Sequence, residues 1–197
     1  MIDDCCAILL AGGESQRMGC DKTALRLGGE TLLNRAAHSL QGVFGEVRVS
    51  VRVPRPDLAW PQVCDVAGVS GPLAGLLAGL LAVQRPWVFA QAADMPFLAP
   101  ALIRAMAAVR TDALQAVVPR AAGVAQPLAA FYATGALPVW QQLQREAGAH
   151  SPGPRAVLAR LAVHYVDAED LPGCRPESFM DVDDPEAWAR ACAIAGR

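Results

Sequence analysis

Charge is scarce in this chain. Asp, Glu, Lys and Arg make up 18% of its 197 residues, the formal net charge is -2 and the pI is near 5.9. So small and balanced a charge leaves no electrostatic footprint for nucleic acid, and any positive field has to be local to a site. No cysteine pair has CxxC spacing. The six present (Cys5, Cys6, Cys20, Cys64, Cys174 and Cys192) are scattered, which argues against a disulfide frame or a zinc site and for reduced thiols. No apolar run has the length of a membrane span. The acidic opening MIDDCC does not read as a signal peptide, so the expectation is a soluble, cytoplasmic protein without a membrane partner. The histidines, His38, His150 and His164, are isolated, and no Ser/His/Asp arrangement can be assembled from them. Neither GxxxxGK[ST] nor GxGxxG occurs, which sets aside the P-loop and the dinucleotide fingerprint.

Hydrophobic residues, by contrast, make up 53% of the chain. That is enough for one well-buried α/β domain over residues 1–197, and it argues against disorder. The central stretch is Leu10 to Lys22, LAGGESQRMGCDK, directly after the apolar run Cys5 to Leu9. The run reads as a buried parallel strand, so the loop opens at the carboxyl edge of a sheet, where α/β proteins bind ligands. Gly12 and Gly13 let backbone N–H groups approach an anion, while Arg17 and Lys22 add two cations with Gly19 between them. A polyphosphate suits that combination.

Further on, Gly28 and Gly29 mark a tight turn, possible as a small hairpin, and Leu32 to Leu40 reads as a helix with Thr31 as N-cap. Glu46 to Val53 alternates valine with polar residues, the pattern of a strand with one wetter face, and contains Ser50. After the proline-rich connection 54–61 comes a short apolar step ending in Asp65. Gly71-Pro72-Leu73-Ala74-Gly75 then opens a leucine and alanine helix whose N-terminus favours an anion or the edge of a base, although helix packing explains the same small residues. Trp87 to Ala93 is another apolar strand and stops at Asp94 before Met95-Pro96. A carboxylate placed there suits a metal ion; the competing reading is a cap for the helix near Pro100, from which several residues separate it. Strands are expected at Ala116 to Pro119, Leu128 to Tyr132 and Ala162 to Val166, with a small-residue loop from Arg120 to Ala125. Helices are expected at Ala136 to Gln144 and Ala156 to Leu161, with 148–153 a linker. Phe179 to Asp183 reads as a strand end with Asp181 and Asp183 on one face. Asp184 and Pro185 then open a last helix.

LAGGESQRMGCDK, Asp65 before GPLAG, the strand ending in ADMPFL, QPL at Gln126 to Leu128 and DVDDPE near the end are similar, in order and spacing, to the molybdenum cofactor guanylyltransferases (MobA type) over nearly the whole chain. The resemblance implies a single-domain, Rossmann-like α/β fold, mostly parallel in its sheet, with helices on both faces. It implies transfer of GMP from GTP to Mo-molybdopterin with Mg²⁺, and molybdoenzyme apoproteins or their chaperones as downstream partners. By position it puts Leu10, Ala11, Gly12 and Gly13 around the nucleotide and Lys22 on its phosphates. It puts Ser50 and Asp65 at the base side and Asp94 on the metal. Asp183 stands where that family usually has the second asparagine of NVNTP and keeps an oxygen ligand there as a second metal contact, and Ser50 stands where it usually has asparagine. The second glycine of LAGG favours guanine over cytosine. Arg120 to Tyr132 and His150 to Arg155, Arg155 above all, are where pterin phosphate contacts are expected. A cytidylyltransferase, another small nucleotidyltransferase and a non-catalytic carrier of the cofactor are the competing functions.

Overall fold

A computed structural model of the chain describes residues 1–11, 22–66, 68–69, 71–147 and 153–196. In chain order its strands are β1 (Cys5–Leu10), β2 (Arg26–Leu27), β3 (Glu30–Thr31), β4 (Val47–Val51), β5 (Gln62–Cys64), β6 (Trp87–Ala92), β7 (Ala116–Ala121), β8 (Val124–Ala125), β9 (Ala129–Ala133) and β10 (Val163–Asp167). The helices are α1 (Leu32–Gln41), α2 (Pro72–Ala82), α3 (Pro100–Ala108), α4 (Leu137–Ala147), α5 (Pro154–Leu158) and α6 (Pro185–Ala195).

The two continuous apolar runs form the middle of the sheet. Every residue of β1 and of β6 is buried, and the two strands pair in parallel from Cys5 opposite Trp87 to Leu10 opposite Ala92. The sheet order is β10-β7-β9-β6-β1-β4-β5, with β8 on β7. β1 with β4, β4 with β5 and β7 with β10 are also parallel, whereas β9 runs antiparallel to both β6 and β7. The reversal has a simple cause: residues 122–128 are too few for a crossover, so the chain can only turn back on itself. The expected fold class holds, with β8 and β9 as its reversed members.

Side chains alternate between two helix layers. Cys5, Ala7 and Leu9 pack with Leu33, Ala36 and Leu40 of α1 and with Leu102, Ile103 and Met106 of α3. Cys6, Ile8 and Leu10 pack with Leu73, Leu76, Leu77 and Leu80 of α2 and with Trp140 and Leu143 of α4. A smaller apolar cluster joins the β2–β3 hairpin to the last helix: Leu27, Leu32, Val182 and Ala191 are buried together, with Leu25, Phe97, Met180 and Trp188 against them.

Local expectations fare unevenly. Thr31 caps α1 by accepting a 3.2 Å hydrogen bond from the Asn34 N–H, and the turn at Gly28 and Gly29 has φ of 63° and 86°. Asp184 caps α6 through the Ala187 N–H at 2.8 Å. The strand expected over Glu46 to Val53 is shorter and has no wet face, because α1 and α2 cover both sides; Val47, Val49, Ser50 and Val51 are buried and only Arg48 is half-buried. The helix expected at Ala156 to Leu161 is α5, earlier and shorter. The small-residue loop 120–125 is largely the β7–β8 hairpin. Phe179 to Asp183 is irregular rather than a strand end: the Val182 N–H is taken by the Asp94 carbonyl at 3.0 Å, and no ladder forms. Among the described residues no helix is long and apolar enough to cross a membrane.

Candidate active site

The carboxyl ends of β1, β4, β5 and β6 lie side by side. The chain leaves β1 for β4 and β5 on one flank and returns to β6 on the other, which makes the end of β1 a topological switch point. Leu10 and Ala11 sit at that point, held from both sides. The Leu10 carbonyl accepts from the Ala93 N–H at 3.1 Å, and the Ala11 N–H donates to the Ser50 carbonyl at 3.0 Å. Gly12, Gly13, Arg17 and Gly19, expected around the phosphates, lie outside the described residues.

On the β6 flank, Asp94 follows the strand in a turn closed by the Met95 N–H on the Ala92 carbonyl at 3.2 Å. Burial pushes the Asp94 carboxyl up from its ordinary 3.8 to about 6. The negative charges of Asp183 and Asp181 add to the rise and the positive charge of Lys22 opposes it. Lys22 reaches Asp183 directly, Nζ to Oδ1 at 2.5 Å, with side-chain exposures of 13% and 42%. These residues are far apart in the chain and meet because the small apolar cluster binds the hairpin beyond Lys22 to the segment around Val182. Val182, buried between Asp181 and Asp183, also ties that segment to the Asp94 carbonyl. Asp181 is exposed, and Asp184 is occupied as a helix cap.

Could this edge hold a divalent cation? Among the described residues no three His, Cys, Asp or Glu side chains form a complete cage. The donors here are carboxylate oxygens only, and Asp94 bears the repulsion of Asp183 and Asp181. A hard ion such as Mg²⁺ keeps its waters, takes one or two protein carboxylates and completes its shell with substrate phosphates, so Asp94 and Asp183 fit it in a shared site with a triphosphate.

On the β4 flank, Ser50 donates its hydroxyl to Asp65 Oδ1 at 2.8 Å, and the Asp65 N–H donates to the Val51 carbonyl at 2.9 Å. Ser50 is 1% exposed. Its hydroxyl is pressed against α2 at Gly75, where an added Cβ would stand 2.1 Å from Ser50 Oγ and 3.1 Å from Leu10 Cδ2. The fold therefore brings Ser50 and Asp65 together, and it spends the serine hydroxyl on the aspartate. Gly71, at φ 75°, and Pro72 open α2 beside them, so the positive end of the helix dipole faces this edge.

Two contributors were not anticipated from the sequence, Val182 as a tie and Gln91 in β6, whereas the helix-packing reading of the small residues opening α2 is met at Gly75. Gln91 donates Nε2 to the Met95 carbonyl at 3.0 Å. A signal for it exists, since it is the one polar residue in WVFAQAA. Arg155 is exposed near the start of α5, and His150 lies outside the described residues.

Residues 7–165 match the family described as MobA-like NTP transferase domain. The chain is 30% identical over 203 residues to the molybdenum cofactor guanylyltransferase of Desulfosudis oleivorans, covering 100% of this chain and 99% of that protein. It is 31% identical over 192 residues to a protein of Pelotomaculum thermopropionicum named "Probable molybdenum cofactor guanylyltransferase", covering 95% and 92%. Among solved structures, molybdopterin-guanine dinucleotide biosynthesis protein A of Archaeoglobus fulgidus superposes with a TM-score of 0.83 at 22% identity, covering 96% and 98%, a likeness of fold.

Proposed function

Because this chain belongs to the MobA-like NTP transferase family, we propose that it transfers GMP from GTP to Mo-molybdopterin, forming molybdopterin guanine dinucleotide and releasing pyrophosphate. A terminal phosphate oxygen of the acceptor attacks the α-phosphorus of GTP in line. A new P–O bond forms as the bond to the bridging α–β oxygen breaks, and the electron pair leaves with pyrophosphate. Both reactants are anions, so alignment and charge neutralisation carry the catalysis and no covalent enzyme intermediate is needed.

The observation that carries this reading is the convergence of Lys22, Asp183 and Asp94 at the carboxyl ends of β1 and β6. In the proposed roles, Lys22 and Arg17 neutralise charge passing to pyrophosphate, and Leu10, Ala11, Gly12 and Gly13 surround the nucleotide. Asp65, steadied by Ser50, together with Gly71 and Pro72 at the start of α2, meets the base. Asp94 and Asp183 would hold Mg²⁺, which would supply further charge neutralisation. In that role Lys22 exchanges its contact with Asp183 for one with phosphate.

The test is nucleotidyl transfer with purified Mo-molybdopterin, Mg²⁺ and GTP, CTP or ATP. Product with GTP alone, abolished in a folded Asp94→Ala protein, is the expected result. Preference for CTP turns the assignment to a cytidylyltransferase. Tight cofactor binding without transfer or pyrophosphate exchange turns it to a carrier.

A further inference from the structure

Gln91 is a costly residue for its place. It lies 1% exposed in the central strand β6, opposite Leu9 of β1 and Ala129 of β9, on the face shared by Phe89 and Phe131. Its Oε1 is buried and has no hydrogen-bond partner among the described residues. An unpartnered buried amide oxygen weighs against stability, so the needs of the core do not explain a glutamine here. Its other end has a definite task. Nε2 donates to the Met95 carbonyl, and because a carbonyl only accepts, that contact fixes which way the amide is turned.

The bond belongs to a set that immobilises the turn carrying Asp94. The Ala93 N–H is on the Leu10 carbonyl, the Met95 N–H on the Ala92 carbonyl and the Val182 N–H on the Asp94 carbonyl, at 3.1, 3.2 and 3.0 Å. Each of these fixes a peptide on one side of Asp94 or its own carbonyl. The Gln91 amide supplies the restraint on the far side, at the peptide between Met95 and Pro96. Without it the turn is held at its entry and by a segment from the C-terminal region, and on the exit side the next restraint lies one residue on, where Arg35 Nε donates to the Pro96 carbonyl at 3.3 Å.

We propose that Gln91 is a positioning residue that holds the Asp94–Met95 turn, and with it the Asp94 carboxylate, in the orientation that meets a nucleotide-bound divalent cation. It rests on the role of Asp94 proposed above. Groups behind a ligand that orient it commonly alter metal affinity by about 10- to 100-fold when removed.

The experiment uses the full chain with Gln91→Met, which keeps the unbranched shape without a donor, and Gln91→Asn, which keeps the amide one methylene too short to reach. Binding of a non-reacting GTP analogue is titrated against Mg²⁺, and melting temperature is read in chelator. The expected result is a rise of about tenfold in the half-saturating Mg²⁺ of both variants, with the melting temperature of Gln91→Met unchanged or raised. An unchanged Mg²⁺ requirement, at whatever melting temperature, overturns the proposal. So does failure of both variants to fold, since Gln91 would then be a residue of the core. Absence of Mg²⁺-linked nucleotide binding in the unsubstituted protein overturns the assigned function itself, which keeps the two failures distinct.

Discussion

Replacing Asp94 by Asn should remove activity and yet make the metal-free protein more stable. Asp94 carries a carboxyl pushed from 3.8 to about 6 by burial, then by Asp183 and Asp181. A folded value above the unfolded one means that the native state binds more protons between those two values, so stability falls as pH rises through that window. The penalty is complete above about pH 6 and absent below about pH 4. A shift of about two units corresponds to roughly 3 kcal/mol, and because the side chain retains some contact with solvent, about 2 kcal/mol is the reasonable figure. Asparagine keeps the shape and an acceptor oxygen but has no charge to bury. In chelator at about pH 7.5, Asp94→Asn should then melt roughly 4–8 °C above the unsubstituted protein. The gap should narrow steadily as pH is lowered toward 5. With Mg²⁺ and a GTP analogue the order should reverse, because only the unsubstituted protein gains stability by binding. A variant that melts lower at about pH 7.5, or a gap that does not respond to pH, would refute the electrostatic reasoning.

Other substitutions test separate parts of the site. Lys22→Met should lower the transfer rate by about 10²-fold or more and also lower urea stability near neutral pH, since the largely buried ammonium offsets the charges of Asp183 and Asp94; a rate within threefold, read in the same transfer assay, would remove Lys22 from the mechanism. Gly75→Ala should destabilise by about 1–3 kcal/mol in urea despite alanine's better helix propensity, because the new methyl group meets Ser50 Oγ at 2.1 Å. It should also weaken nucleotide binding by displacing Asp65. Cys6 is buried and its thiol is pushed up to about 12, chiefly by burial, so a thiol reagent read by mass spectrometry should leave it intact in native protein while labelling exposed Cys64 and Cys192.

Much of this was legible along the chain. Unbroken apolar runs announced β1 and β6 as buried strands, and the glycine-rich loop after the first and the carboxylate Asp94 after the second marked the edge where a ligand belongs. Thr31 and Asp184 were recognisable as caps because capping depends on the residues next to it. The valine alternation in β4 misled, since alternation reports polarity and not which faces the helices cover; Ser50 falls on the face it makes wetter and is interior. The DVD segment misled for a similar reason, because its period-two pattern serves a buried Val182 between two aspartates and not a strand pairing.

From the sequence alone came the elements, their caps and the residue types competent to handle a triphosphate, all consequences of neighbours within a few positions. Only the tertiary structure decided that Lys22 meets Asp183, that Ser50 serves Asp65, and that Gln91 and Val182 restrain the turn at Asp94. Those pairings depend on which apolar surfaces bury each other across the fold, above all the small cluster that draws the β2–β3 hairpin onto the segment before α6, and surfaces distant in the chain have no local pattern that announces their contact.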